Sequence, residues 1–104
     1  MKLSEYKIPD WKGKIQRKIQ YDQNYILLLS IDRKVSPPKG GRKNLICVNK
    51  ESNILWVAEL TSPLYDSYYE IHCENEILYA TSSNGFIAEI NPVTGNMIRQ
   101  YMFK

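Results

Sequence analysis

Apolar residues in this chain recur with the period of a β-strand rather than that of a helix. In the segment 25–31 all odd positions are apolar, and so are Ile26 and Leu28 between them, which is typical of a central strand covered on both faces. The runs 45–48 and 54–58 have the same character, and Tyr, Ile, Val and Trp in them suit a pleated surface. These patterns predict buried β-strands in the first half of the chain.

Further strand-like runs follow in the second half, separated by short turn segments. They cover residues 68–73, 76–82, 86–90 and 96–103. A helix over 11–20 is an alternative, because Ile15 and Ile19 are four residues apart, but Gly13 and the β-branched residues favour another strand. The sequence therefore predicts an all-β fold, an antiparallel meander of seven or eight strands in a single domain spanning residues 1–104.

An internal repeat is visible in the turn segments. Residues 49–56 align without gaps on residues 91–98, at an offset of 42. Each copy begins with Asn, has a hydroxyl residue three positions later, and then has a residue that tolerates positive φ, Asn53 or Gly95. The leading Asn is expected to accept bonds from the backbone N–H groups ahead of it. We predict two repeat units, at about 22–60 and 68–103.

The second copy, residues 85–98, resembles a blade of the quinoprotein-type (PQQ-like) β-propellers, which run strand, Gly, strand, Asp/Asn-x-x-Thr-Gly, strand. Leu55-Trp56 resembles the start of the third strand in such blades. The resemblance implies two blade-like units arranged as a β-sandwich or a curved sheet. Two blades do not close a ring, so the quinone chemistry of the family is not carried over, and no cofactor is expected.

Charge divides the chain into a basic first half and an acidic second half, although the net charge is only +3. A Pro/Gly loop over residues 33–43, within which nine residues are extra relative to the second copy, adds to the basic side. A nucleic-acid-binding module is therefore one hypothesis. Its basic patch would consist of Lys12, Lys14, Arg17, Lys18, Arg33, Lys34, Lys39, Arg42 and Lys43.

Tyrosine and acidic residues cluster between the two repeat units. Tyrosine offers a large contact area at a low entropic cost, and neighbouring carboxylates suit a basic partner. The candidate partner-binding residues are Tyr65, Asp66, Tyr68, Glu70, His72 and Glu74. Alternation places Tyr68 on the solvent-facing side with Glu70 and His72. The competing interpretation is a half-buried, tyrosine-rich corner between sheets.

Catalytic signals are weak. His72 is the single histidine, and the chain has no nucleophile-elbow or zinc-protease motif and no cysteine–histidine metal spacing. An enzyme built around His72 is the least favoured hypothesis, and we expect neither catalysis nor a metal. The C-terminal strand, as an open edge, is a second place where a partner can pair with the chain.

Cys47 and Cys73 fit no metal or redox spacing, and the N-terminus lacks an apolar signal core. We expect two reduced thiols in a cytoplasmic protein, although spacing leaves a disulfide between them open. No apolar run reaches the length that spans a bilayer. Size and chemistry together are similar to those of small bacterial immunity proteins. The favoured hypothesis is therefore an inhibitor that occludes the active site of a basic cognate toxin, such as a nuclease of a contact-dependent inhibition system.

Overall fold

The computed structural model describes residues 5–8, 11–30, 42–62 and 66–102. These residues form nine β-strands and no helix. In chain order the strands are β1 (Glu5–Ile8), β2 (Trp11–Tyr21), β3 (Asn24–Leu29), β4 (Leu45–Val48), β5 (Ile54–Val57), β6 (Tyr68–Glu74), β7 (Ile77–Ser82), β8 (Phe86–Ile90) and β9 (Met97–Met102).

The strands form two antiparallel sheets in which neighbours in sequence are neighbours in space. The first sheet has the order β1-β2-β3-β4-β5, and the second has the order β6-β7-β8-β9. The all-β, antiparallel, two-unit fold predicted from the sequence is confirmed. The segment 11–20 is part of a strand, as its β-branched residues favoured. The predicted units began at residue 22 and so left out β2, which opens the first four-stranded meander.

The two sheets pack face to face around one apolar core. The first sheet contributes residues such as Ile26, Leu28 and Trp56, and the second contributes residues such as Ile71 and Leu78. The opposite face of the first sheet is buried as well, because Leu27, Leu29, Ile46 and Val48 have no exposed surface. β3 and β4 therefore have buried residues on both faces, as the continuous apolar runs predicted.

Two side chains tie the sheets together. Asn44, which is fully buried, donates from Nδ2 to the carbonyl oxygens of Leu29 (2.9 Å) and Tyr68 (2.7 Å) and accepts from the Tyr68 N–H at 2.9 Å. Trp56 of β5 donates from Nε1 to the carbonyl oxygen of Pro92 at 3.2 Å. Because a buried amide without partners is costly, the bonds of Asn44 fix the position of β6 against the end of β3.

Strands β2–β5 and β6–β9 share one pairing register. In the first sheet Ile19 pairs with Ile26, Ile26 with Cys47, and Cys47 with Trp56. The second sheet has the same chain of pairs in His72, Tyr79, Glu89 and Arg99. The irregularities coincide too. The register shifts between Ile15 and Arg17 and between Tyr68 and Glu70, in the first strand of each meander. It shifts again where β4 pairs with β5 and where β8 pairs with β9, with the extra residue on β5 and β9. The two meanders are therefore structural repeats down to their bulges.

This register corrects the alignment made from sequence. Between β3 and β4 the first repeat has 17 positions from Leu28 to Leu45, against six from Thr81 to Ile87, so its insertion is eleven residues rather than nine. Eleven of the residues between β3 and β4, 31–41, lie outside the described part of the chain.

The leading asparagine of each turn accepts backbone hydrogen bonds as predicted, but the position of the positive φ was predicted correctly in only one of the two turns. Asn49 Oδ1 accepts from the N–H groups of Glu51 (3.0 Å) and Asn53 (2.9 Å). Asn91 Oδ1 accepts from the N–H groups of Val93 (2.8 Å) and Thr94 (3.3 Å).

The positive φ of the first turn belongs to Ser52 (68°), so its prediction at Asn53 was wrong, whereas Gly95 has φ 79° as predicted. The cause is turn length. Asn49 N–H bonds to the Asn53 carbonyl, but Asn91 N–H reaches the Asn96 carbonyl, one residue further on.

Candidate protein-binding face

The second sheet has one face in the core and one open to solvent. Cross-strand pairing places on the open face three residues of β6, three of β7, two of β8 and two of β9. We call this set the outer face: Glu70, His72, Glu74, Ile77, Tyr79, Thr81, Ile87, Glu89, Arg99 and Tyr101. Counting its three carboxylates and one guanidinium, its formal charge is about −2.

Four side chains form a row across the middle of the outer face. The rings of His72 and Tyr79 stack, with centroids 4.9 Å apart and planes 9° from parallel. Beyond them, Glu89 accepts from Arg99 Nε at 2.9 Å. The Glu89 side chain is only 5% exposed, whereas Arg99 is 70% exposed and covers it from the solvent side. The row thus consists of two stacked rings beside a carboxylate that Arg99 shields from solvent.

Tyr101 lies beside Arg99 and Glu89 on the outer face. The Arg99 guanidinium lies 6.0 Å from the centroid of its ring. The pKa of Tyr101 is raised, first by desolvation and then by the charge of Glu89 and a hydrogen bond to it. The pKa of Arg99 is raised as well, chiefly by its hydrogen bond to Glu89. A guanidinium on this face is therefore held by a carboxylate and an aromatic ring together.

Three of the six residues predicted to bind a partner lie on the outer face and are exposed: Glu70, His72 and Glu74. His72 Nε2 lies 3.9 Å from Glu74 Oε1, and their side chains are 57% and 67% exposed. The structure therefore brings these three together on one strand, next to Tyr79 of β7.

Tyr68 lies on the other side of the sheet, and its assignment to the solvent-facing set was wrong. The register shift between Tyr68 and Glu70 inverts the alternation, so Tyr68 points into the core and Tyr69 is 50% exposed instead. The Tyr68 hydroxyl donates to the Glu59 carbonyl oxygen at 2.6 Å, and burial, with nearby carboxylates, raises its pKa strongly. Tyr68 is a core residue.

Asp66 is buried too, at 2% exposure, so a surface role for it is also corrected. One carboxylate oxygen accepts from the Thr61 N–H (3.0 Å), the Thr61 hydroxyl (2.7 Å) and the Ser62 N–H (3.1 Å). The other accepts from the Ser67 N–H at 2.8 Å. Asp66 therefore organises the connection between the sheets. Tyr65, the remaining member of the predicted set, lies outside the described residues.

The predicted basic patch is divided in the structure. Arg17 and Lys18 are both exposed, but they are successive residues of β2 that pair with Leu28 and Leu27, on opposite faces of the sheet. Lys43 is paired with Glu59 at 3.0 Å, and Lys18 lies 5.3 Å from the centroid of the Tyr25 ring.

Lys14 is exposed and Arg42 is half-buried. The side chain of Lys12 and the residues Arg33, Lys34 and Lys39 lie outside the described part. The described cations thus do not share one face.

Sequence reasoning missed the larger part of the outer face, which comes from β7, β8 and β9. Tyr79, Glu89 and Arg99 lie outside the candidate segment 65–74 and come beside its residues only through strand pairing. One signal was present: Glu89 interrupts the apolar run 86–90, and a charge in a buried strand needs a partner.

The described residues contain no group of three or more His, Cys, Asp and Glu side chains placed to hold a metal ion. Within the same residues, no helix has the length and apolar character needed to cross a bilayer. Cys47 and Cys73 are not joined to each other, and Cys47 is buried and Cys73 half-buried.

Comparison with known proteins gives one finding. Residues 8–102 match the model of a family described as Domain of unknown function (DUF7957). The match covers most of the chain and includes β2 to β9 in full. Neither the curated proteins nor the solved structures gave a match. The matched range spans both four-stranded meanders. This chain belongs to the DUF7957 family of domains of unknown function.

Proposed function

We propose that this chain is a non-catalytic protein-binding domain that captures a basic protein through the outer face of its second sheet. The observation that supports it is the contrast between matching faces. The row Ile19, Ile26, Cys47, Trp56 packs in the core, whereas its counterpart His72, Tyr79, Glu89, Arg99 faces solvent. Tyr and Arg are the residues that most often dominate binding energy at protein interfaces.

The charge of this face favours a cationic partner. The exposed carboxylates of Glu70 and Glu74 flank His72, and the positive charge of Arg99 is neutralised by Glu89. An acidic face accelerates encounter with a basic surface and repels acidic ones. The net charge of the whole chain is +3, so attraction of a basic partner would depend on this face and not on the protein as a whole.

The role that we propose is that of an immunity-type inhibitor in a bacterial cytoplasm. The outer face would cover the cationic substrate cleft of a cognate toxin domain, such as a nuclease of a contact-dependent inhibition system. A nuclease cleft is basic because it binds phosphates, and an acidic sheet face mimics that charge. Inhibition by occlusion needs no reactive group on the inhibitor.

The test is protection of growth in cells that express the toxin. Growth-inhibiting nuclease domains encoded in the gene neighbourhood of this chain are expressed alone and together with it, and colony formation is counted. We expect rescue by the wild type and loss of rescue by the double variant Glu70→Lys/Glu74→Lys. The variant Glu51→Lys reverses an exposed charge in the β4–β5 turn and should still rescue.

Rescue that survives the double charge reversal, with both variants folded by circular dichroism, would remove the outer face from the function. A salt-sensitive gel shift of any polynucleotide by this chain would instead support the nucleic-acid hypothesis.

A further inference from the structure

We propose that the outer face recognises arginine side chains of the partner in preference to lysine. This inference rests on the proposed function, because it names the chemical group that the same face would bind. It follows from the way in which the face already holds one guanidinium of its own.

Arg99 shows that arrangement. Its Nε donates to Glu89 at 2.9 Å while the guanidinium carbon lies 6.0 Å from the centroid of the Tyr101 ring. The flat cation thus meets a carboxylate on one side and a π-surface on another. A guanidinium satisfies both at once, since it is planar and presents several N–H groups in fixed directions, whereas an ammonium is a compact point charge with a tightly held water shell.

The same two components recur on the other half of the outer face. The stacked rings of His72 and Tyr79 provide an aromatic surface, and Glu70 and Glu74 stand on either side of His72 along β6. Glu74 and His72 are more than half exposed. Among the described residues of the outer face, Arg99 is the one arginine or lysine, and it is bonded to Glu89. The carboxylates of β6 are thus available to cations of a partner.

A second copy of this chain does not fit the face as well. Stacking in the order seen within the chain would place the far face of another first sheet on it, and Leu27, Leu29, Ile46 and Val48 of that face have no exposed surface. Stacking of two outer faces would bring like charges together, since each is about −2. Charge complementarity therefore favours a different, arginine-bearing protein.

The experiment compares two synthetic nonapeptides of equal charge, one alternating Arg with Gly and the other alternating Lys with Gly. Fluorescence anisotropy of the labelled peptides at low salt gives the two dissociation constants. We expect the arginine peptide to bind about fivefold more tightly than the lysine peptide. Glu70→Gln/Glu74→Gln should weaken both peptides, because both depend on charge.

Two variants separate the ring contribution from the charge contribution. His72→Leu removes an exposed ring, and Tyr79→Leu removes its partner; each should lower the arginine preference towards one while leaving lysine-peptide binding unchanged. Glu51→Gln, an exposed carboxylate away from the face, should leave both constants unchanged. Thermal melting of each variant confirms that it is folded.

Equal affinity of the wild type for the two peptides would overturn the arginine preference, and so would a preference that both ring variants retain. Neither result touches toxin protection by the wild type, so the proposed function would stand. Conversely, arginine-selective binding by a chain that protects against no toxin would uphold this inference and remove the immunity role.

Discussion

The two sheets share a pairing register and differ in the surroundings of one matching face, which lies in the core in the first sheet and on the surface in the second. At four matching positions the first sheet has Ile19, Ile26, Cys47 and Trp56, and the second has His72, Tyr79, Glu89 and Arg99. The first row packs in the core and the second faces solvent.

Backbone pairing and bulges are the same in both, so they do not depend on which side chains occupy this face. The difference shows that one backbone pattern can carry either a core or an exposed surface. In repeat proteins a terminal repeat has a polar outer face for the same physical reason, since apolar residues there would be left in water.

The largest predicted effect comes from truncation at one matching pair. Trp56→Ala removes a side chain that packs in the core, contacts the Gly95 turn and donates to Pro92, and we expect it to cost about 3–5 kcal/mol in the free energy of unfolding. Arg99→Ala, at the matching position, should cost far less, because that side chain is mostly in water. Urea denaturation measures both, and equal losses would contradict the division of the two faces.

A second test compares the two asparagine turns. Gly95 has φ 79°, and an added Cβ would lie 2.7 Å from Cε3 of Trp56, so Gly95→Ala should destabilise the protein by about 2–4 kcal/mol. Ser52 holds φ 68° with a side chain, so Ser52→Gly should stabilise the protein by about 0.5–1 kcal/mol. Thermal melts give both signs. Destabilisation by Ser52→Gly would show that the Ser52 side chain stabilises the protein by more than its positive φ costs.

The last effect is absent near neutral pH and appears only in alkali, where the two thiols contribute to it. Burial raises the pKa of Cys47 from 9.0 to about 11, and burial with the charge of Glu76 raises that of Cys73. A folded state that holds its proton more tightly than the unfolded state loses stability as pH rises, here from about pH 9 towards pH 11. Urea midpoints across that range should fall, and Cys47→Val should flatten the fall more than Cys73→Ser. A midpoint independent of pH in the wild type would contradict burial of Cys47.

The strands were predictable from sequence because each carries its own apolar period. Residues 45–48 and 86–90 match β4 and β8 at both ends. The asparagine of each turn was predictable because its side-chain bonds are local.

Bulges were not predictable, because one extra residue does not produce a recognisable pattern of apolar positions. The alternation rule therefore placed Tyr68 on the wrong face. The outer face was found only in part, because Tyr79, Glu89 and Arg99 lie on three other strands and join Glu70 and Glu74 only through strand pairing. The residues of such a surface can be identified only when the strand register is known.

Asn44 has a consequence for motion. Its amide holds the end of β3 and the start of β6 through three hydrogen bonds, while the rest of the contact between the sheets is largely apolar. Apolar surfaces can slide by small amounts without losing much energy, but a directional bond to two backbone segments cannot. The amide therefore acts as one pin and the Trp56–Pro92 hydrogen bond as another, so the two sheets cannot slide past each other without breaking directional bonds.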